Sequence, residues 1–183
     1  MTKSDPAPVY GTVARLLHWL VFVLLAAQFA IAWTMPHIGR NARPEGLIAW
    51  HLWLGMLILL LAALRLGWRL RHPAPPAPAG QPAWQRRLAR AVHGLLYAIL
   101  ILLPLLGWAN ACARPWDVSL FGVVPLPRLL EKGSHFGRSL GGIHSNLAIV
   151  LLVVLGLHVA ATLYHQFVAR DGTLMRMLPR GKS

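Results

Sequence analysis

Four long apolar stretches limit this chain more than any other feature does. They run from Val13 to Thr34, from Leu47 to Leu66, from Ala91 to Ala109 and from Ile143 to Val168. Each is long enough to cross about 30 Å of hydrocarbon as an α-helix. Hydrophobic residues make up 56% of the 183 residues and charged residues only 13%, which is more apolar surface than one water-soluble domain could bury. The sequence therefore predicts an all-α membrane protein, a single four-transmembrane-helix bundle over residues 1–183.

Basic residues are distributed unevenly around these stretches. The chain has 18 Lys and Arg against 5 Asp and Glu. The N-terminal segment, the C-terminal tail and the region between the second and third stretches, counted from Arg65, hold 12 of the 18 basic residues. Because Lys and Arg accumulate in cytoplasmic loops, both termini are predicted to be cytoplasmic. Basic residues placed between apolar stretches are expected to contact lipid headgroups, so nucleic acid is not expected as a partner.

Six of the nine histidines fall in the apolar stretches or at their ends. Three others (His37, His72 and His135) are expected in loops as solvated side chains. Ionisable residues inside a membrane are costly and are usually functional. The six are His18, His51, His93, His144, His158 and His165.

The fourth stretch indicates how these histidines are arranged. His144 and His158 are 14 residues apart, which leaves them about 40° from alignment and about 21 Å apart along a helix axis. They therefore share one face at two depths in the membrane. His165 lies on the same face, about 10 Å closer to the cytoplasm than His158. This spacing suits two haems stacked across the membrane.

Matching depths predict which histidines form pairs. His18 and His158 lie towards the cytoplasmic side, and His51 and His144 lie near the periplasmic side. Each pair could supply two axial imidazoles to one haem iron, a ligation that favours electron transfer over oxygen binding. His93 has a depth similar to that of His158, so it is an alternative ligand to His18 or a contact for a haem propionate.

Two readings without haem remain open from the residues alone. The histidines could join helices by hydrogen bonds, or they could serve a proton or divalent-metal transporter. Zinc needs three or four ligands at one depth, whereas these histidines divide into two layers, and the apolar stretches contain no acidic residue. The single cysteine, Cys112, excludes an internal disulfide, a four-cysteine iron–sulfur site and covalent haem attachment through a C-x-x-C-H motif.

The sequence resembles the bacterial cytochrome b561 proteins over nearly its whole length. Three of the similar segments are Arg15–Trp19, Trp50-His51 with Gly55, and His93 with Leu96-Tyr97 followed by Pro104 and Gly107-Trp108. The most specific similarity is the C-terminal run of Leu157–Ala161, Tyr164-His165, Arg170–Leu174 and Arg176–Pro179.

This resemblance implies two non-covalent b haems in a bacterial inner membrane, with His18, His51, His144 and His158 as iron ligands. It also implies an oxidoreductase that takes electrons from superoxide at the periplasmic face and passes them to ubiquinone. We expect ubiquinone near His165, which could donate a proton to it as the catalytic residue. The alternative function is an electron-carrying anchor subunit docked to a dehydrogenase or a hydrogenase.

The loops expected in the periplasm carry an excess of positive charge that could attract the superoxide anion. The same residues could instead hold lipid headgroups. The basic residues of these loops are Arg40, Arg43, Arg114, Arg128, Lys132 and Arg138.

Overall fold

Four long helices make up most of the protein in this computed structural model, which describes residues 9–39, 42–78 and 80–178. They are α1 (Thr12–Thr34), α2 (Gly46–Arg71), α3 (Ala83–Cys112) and α4 (His135–Tyr164). A π-helical turn (His165–Ala169) extends α4, and a 3-10 turn (Leu174–Arg176) follows it. All four helices are long and apolar enough to span a membrane, which confirms the predicted all-α, four-span architecture.

Three helices extend well beyond the apolar stretches that predicted them. Helix α4 begins at His135 rather than at Ile143, and helix α2 continues to Arg71 rather than ending at Leu66. Helix α3 begins at Ala83 rather than at Ala91, because the residues between these positions include the good helix formers Gln, Arg, Leu and Ala. Hydropathy marks the membrane-spanning part of a helix and not its full length.

The beginning of α4 corrects one prediction. The sequence analysis placed His135 in a loop, but His135 is the first residue of α4 and is exposed there. Ser134 precedes it, and the Ser134 side-chain oxygen accepts a hydrogen bond from the Gly137 backbone N–H at 3.1 Å. This N-cap satisfies a donor that the first turn would otherwise leave free.

The helices pack in sequence order, α1 against α2, α2 against α3, and α3 against α4. Their shared core is aliphatic and includes Val21, Ile58, Ile99 and Leu151. Large apolar side chains also cover the outside of the bundle, as is typical of helices that face lipid.

Both ends of the described chain lie on one side of the bundle, which we call the tail side. The Arg15 guanidinium donates a hydrogen bond from Nη1 to the Leu178 carbonyl at 2.9 Å. The Trp19 indole donates to the Met177 carbonyl, also at 2.9 Å. The C-terminal segment is thus held against the first turns of α1.

The opposite side, which we call the loop side, is covered by the connections between α1 and α2 and between α3 and α4. The Trp116 indole joins the two connections by donating to the Ala42 carbonyl at 2.8 Å. A small antiparallel hairpin, β1 (Ser119–Leu120) and β2 (Val124–Pro125), lies in the second connection. The sequence analysis did not predict this hairpin.

Candidate functional site

The histidines inside the bundle form two layers, as their spacing predicts. In the loop-side layer, the ring centroids of His51 and His144 are 6.0 Å apart. In the tail-side layer, the His158 ring lies 6.4 Å from that of His18 and 5.3 Å from that of His93. The structure therefore brings together both predicted pairs, and it places His93 next to His158 as well.

Hydrogen bonding and close packing orient the imidazole of His144 in the loop-side layer. His144 Nδ1 lies 2.9 Å from the Leu103 carbonyl, and because a carbonyl only accepts, Nδ1 carries the proton and Nε2 keeps its lone pair. Histidines that bind metals are typically oriented in this way through their other nitrogen. Gly107 lies against the same ring, since a Cβ there would be 3.0 Å from His144 Cε1. Across the bundle, Gln28 donates to the His51 carbonyl at 2.9 Å.

A cavity of about 700 Å³ contains the loop-side layer and is lined by all four helices. Its size is within the range of about 300 to 1,000 Å³ that is usual for small-molecule and cofactor sites. The small residues Gly55, Gly107 and Ala148 contribute to its wall. His51 Nδ1 is buried there without a hydrogen-bond partner. The cavity therefore has the features of an apolar cofactor site with nitrogen ligands.

The tail-side layer has a different electrostatic environment. His18 Nδ1 is buried without a hydrogen-bond partner, whereas His93 is hydrogen-bonded to the backbone of Ala89. The guanidinium of Arg65, on α2, is close enough to interact electrostatically with all three imidazoles of this layer. The tail-side histidines therefore have a cation beside them inside the bundle.

The ring separations fit a metal held between two imidazoles. With metal–nitrogen bonds of about 2 Å, two histidines on opposite sides of one metal have ring centroids about 6 Å apart. The separations of 6.0 Å for His51 with His144 and 6.4 Å for His18 with His158 agree with this value. The 5.3 Å between His93 and His158 is shorter. Within residues 9–39, 42–78 and 80–178, no group of three or more His, Cys, Asp or Glu side chains could hold a metal ion together.

His165 lies on the tail side, outside both layers, and forms a pair that the sequence analysis missed. Its Nδ1 is 2.5 Å from Asp171 Oδ2. The chain returns to this position because Arg170 has a left-handed conformation with φ of 50°. Thr173 donates two hydrogen bonds to Asp171 Oδ1, from its backbone N–H at 3.0 Å and from its hydroxyl at 2.6 Å. Asp171 follows the π-helical turn, so helical spacing gave no signal for this pair.

Asp171 is ionised at neutral pH. Partial burial raises its pKa, but the hydrogen bonds from Thr173 and His165 outweigh that effect and hold the pKa below its ordinary value of 3.8. When folding lowers the pKa of a carboxylate, the ionised group stabilises the folded state at any pH above its pKa in the unfolded chain. This stabilisation is lost as the pH falls through the lowered pKa of the folded state. Asp171 is therefore a carboxylate that fixes the orientation of the His165 ring.

The structure separates the basic residues of the loop side into two groups. Arg128 and Lys132 both bind Asp117, at 3.0 and 3.4 Å, and Arg43 lies 3.9 Å from Glu45. Arg40 lies outside the described residues. Acidic side chains thus balance part of the positive charge in these loops.

Arg114 and Arg138 form the second group, because both line the cavity of the loop-side layer. Arg114 donates a hydrogen bond to the Gly39 carbonyl at 3.2 Å and lies over the ring of Trp116. Burial and the charge of Arg138 lower the pKa of Arg114 below its ordinary range. Two mutually repelling cations in the wall of a cavity favour the approach of an anion.

The fold and the site together define a class of protein. Four membrane-spanning helices place imidazole pairs at two depths, with ring separations that fit a metal held between two imidazoles. Such an arrangement is typical of membrane cytochromes, which hold haem iron through histidine.

The chain belongs to the prokaryotic cytochrome b561 family, whose family model matches residues 9–180. It is 32% identical to a probable superoxide oxidase CybB of Yersinia pestis over 168 residues, which are 90% of this chain and 92% of the relative. It is also 29% identical to cytochrome b561 homolog 2 of Escherichia coli K12, over 100% of this chain and 98% of the relative. Membership of this family implies haem b.

Proposed function

We propose that this chain holds two haems b and carries electrons across a bacterial inner membrane from superoxide to ubiquinone. The loop side would face the periplasm and the tail side the cytoplasm, because most of the basic residues that the structure describes lie towards the tail side. The observation that carries the proposal is the pair of imidazole layers, with ring separations of 6.0 and 6.4 Å. When bound, the haems supply one-electron redox chemistry.

In this proposal, His51 and His144 hold the periplasmic haem, and His18 and His158 hold the cytoplasmic haem. The ring separation of His18 from His158 supports His18 over His93 as the ligand. His93, hydrogen-bonded to its own helix at Ala89, remains at the edge of the cytoplasmic haem. Two imidazoles saturate the iron and thereby favour electron transfer.

Arg114 and Arg138 would attract superoxide to the periplasmic haem. Superoxide is an anion, and these two side chains line the cavity, whereas Arg128 and Lys132 bind Asp117. The similarity to the Yersinia relative, which is named a probable superoxide oxidase, supports the same donor. Each superoxide that gives up one electron leaves as molecular oxygen.

On the cytoplasmic side, His165 and Asp171 would serve the reduction of ubiquinone. Asp171 accepts the hydrogen bond from His165 Nδ1. When the ring carries a proton on both nitrogens, Nε2–H can donate to a quinone oxygen and deliver its proton, and the neutral ring regains a proton at Nε2 from the cytoplasmic side. Each ubiquinone takes up two electrons from two superoxide ions and two protons from the cytoplasmic side. Asp171 stabilises the His165 ring in the orientation that this transfer needs.

Purified protein in detergent tests this function directly. Superoxide is supplied to the protein with a short-chain ubiquinone, and quinol formation is followed with and without superoxide dismutase. We expect quinol to form in the absence of any other protein and the dismutase to suppress it. Reduction only after addition of an iron–sulfur dehydrogenase subunit would instead identify this chain as an anchor subunit.

A further inference from the structure

Arg65 is a cation within a membrane-spanning helix, and no acidic side chain among the described residues pairs with it. It lies six residues before the end of α2, about 9 Å along the helix axis. The ion pairs of the described chain involve Glu45, Asp117 and Asp171, and none of them includes Arg65. A buried charge costs several kcal/mol unless an anion compensates it.

The surroundings of Arg65 point to where that anion belongs. The guanidinium lies over the ring of Tyr97, 5.4 Å from its centroid, and it interacts with His18, His93 and His158. The side chain is therefore directed to the tail-side layer and not to bulk solvent.

A second arginine is placed in the same way. Arg69 lies four residues after Arg65, so both side chains share one face of α2. Arg69 Nη1 is buried without a hydrogen-bond partner, and the guanidinium lies over the ring of Tyr10. One face of α2 thus presents two guanidinium groups on the tail side of the bundle, and both can donate hydrogen bonds to an anionic ligand.

We propose that Arg65, with Arg69 beside it, binds the carboxylates of the tail-side haem and raises the reduction potential of that haem. This inference rests on the proposed two-haem function. A positive charge near the haem iron stabilises the reduced state, which has one positive charge less. If Arg65 loses its charge, the haem carboxylates are left uncompensated, which stabilises the oxidised state further.

The test is an anaerobic redox titration of the purified holoprotein, followed by haem absorbance. The variant is Arg65→Gln, and the control is Arg71→Gln, on the same helix but exposed to solvent. We expect two one-electron components, of which one moves to lower potential in Arg65→Gln. At the wild-type midpoint potential of that haem, the ratio of reduced to oxidised haem in Arg65→Gln should be lower than in the wild type by about tenfold or more. Neither component should move in Arg71→Gln.

Two further variants keep the inference testable if Arg65→Gln does not accumulate. Arg65→Lys keeps the charge and should keep the midpoint near that of the wild type, whereas Arg69→Gln should lower the same component by a smaller amount. The inference would be overturned if the midpoint potentials of Arg65→Gln, or those of Arg69→Gln, equal the midpoint potentials of Arg71→Gln. A wild-type protein with fewer than two haems would instead refute the proposed function, so the two failures are distinguishable.

Discussion

Replacing Gly107 with alanine puts a methyl group against the ring of His144. The new Cβ would lie 3.0 Å from Cε1 and 3.1 Å from Nδ1 of that ring, whereas ordinary van der Waals contact begins at 3.4 Å. The ring must therefore retreat by about 0.4 Å, twice the deviation of about 0.2 Å that metal–ligand distances tolerate. The same movement disturbs the 2.9 Å hydrogen bond from Nδ1 to the Leu103 carbonyl, which contributes about 1 kcal/mol.

We expect Gly107→Ala to bind the loop-side haem at least about fivefold more weakly, from the hydrogen bond alone, and to leave the tail-side haem unchanged. The haem-to-protein ratio after purification measures the loss, and low-temperature electron paramagnetic resonance measures the two low-spin signals separately. Gly94→Ala is the matched control, because it lies on the same helix and its Cβ would meet nothing within 4 Å. If Gly107→Ala and Gly94→Ala proteins have equal haem content and equal spectra, the assignment of His144 as a constrained ligand is refuted.

Three further perturbations test other parts of the proposal. His18→Ala should lose the tail-side haem, whereas His93→Ala should keep both; a haem-to-protein ratio of one for His93→Ala would exchange their roles. His165→Gln and Asp171→Asn should each keep both haems and slow quinol formation severalfold, because the proton donor or its orientation is lost; loss of a haem in either variant would contradict this assignment. Arg138→Gln should lower the rate constant for superoxide and weaken its dependence on ionic strength, measured by stopped-flow haem reduction, and an unchanged salt dependence would refute the steering role.

The helices and the pairing of their histidines could be predicted because both follow from simple geometry. An apolar run of about 20 residues has few structures available to it besides a membrane-spanning helix. A helix also rises a fixed 1.5 Å per residue, so sequence distance from the end of a span gives depth. Those two facts are enough to bring His51 to His144 and His18 to His158.

Features that depend on how a helix is rotated, or on an irregular turn, could not be predicted. His93 and His18 have similar depths, and only the packed bundle shows their different separations from His158. The contact of Gly107 with His144 likewise depends on which face of α3 meets α4. Asp171 reaches His165 through a π-helical turn and a left-handed Arg170, which no periodic pattern predicts.

The haem content of the purified protein is the direct test of the two proposed imidazole pairs. Wild-type protein, supplied with haem during expression and purified in detergent, is assayed for haem per chain and for oxidised and reduced spectra. The account predicts two b haems per chain, both low-spin in both oxidation states, because each iron has two imidazole ligands. One haem per chain, or a high-spin species with an open coordination site, would contradict it.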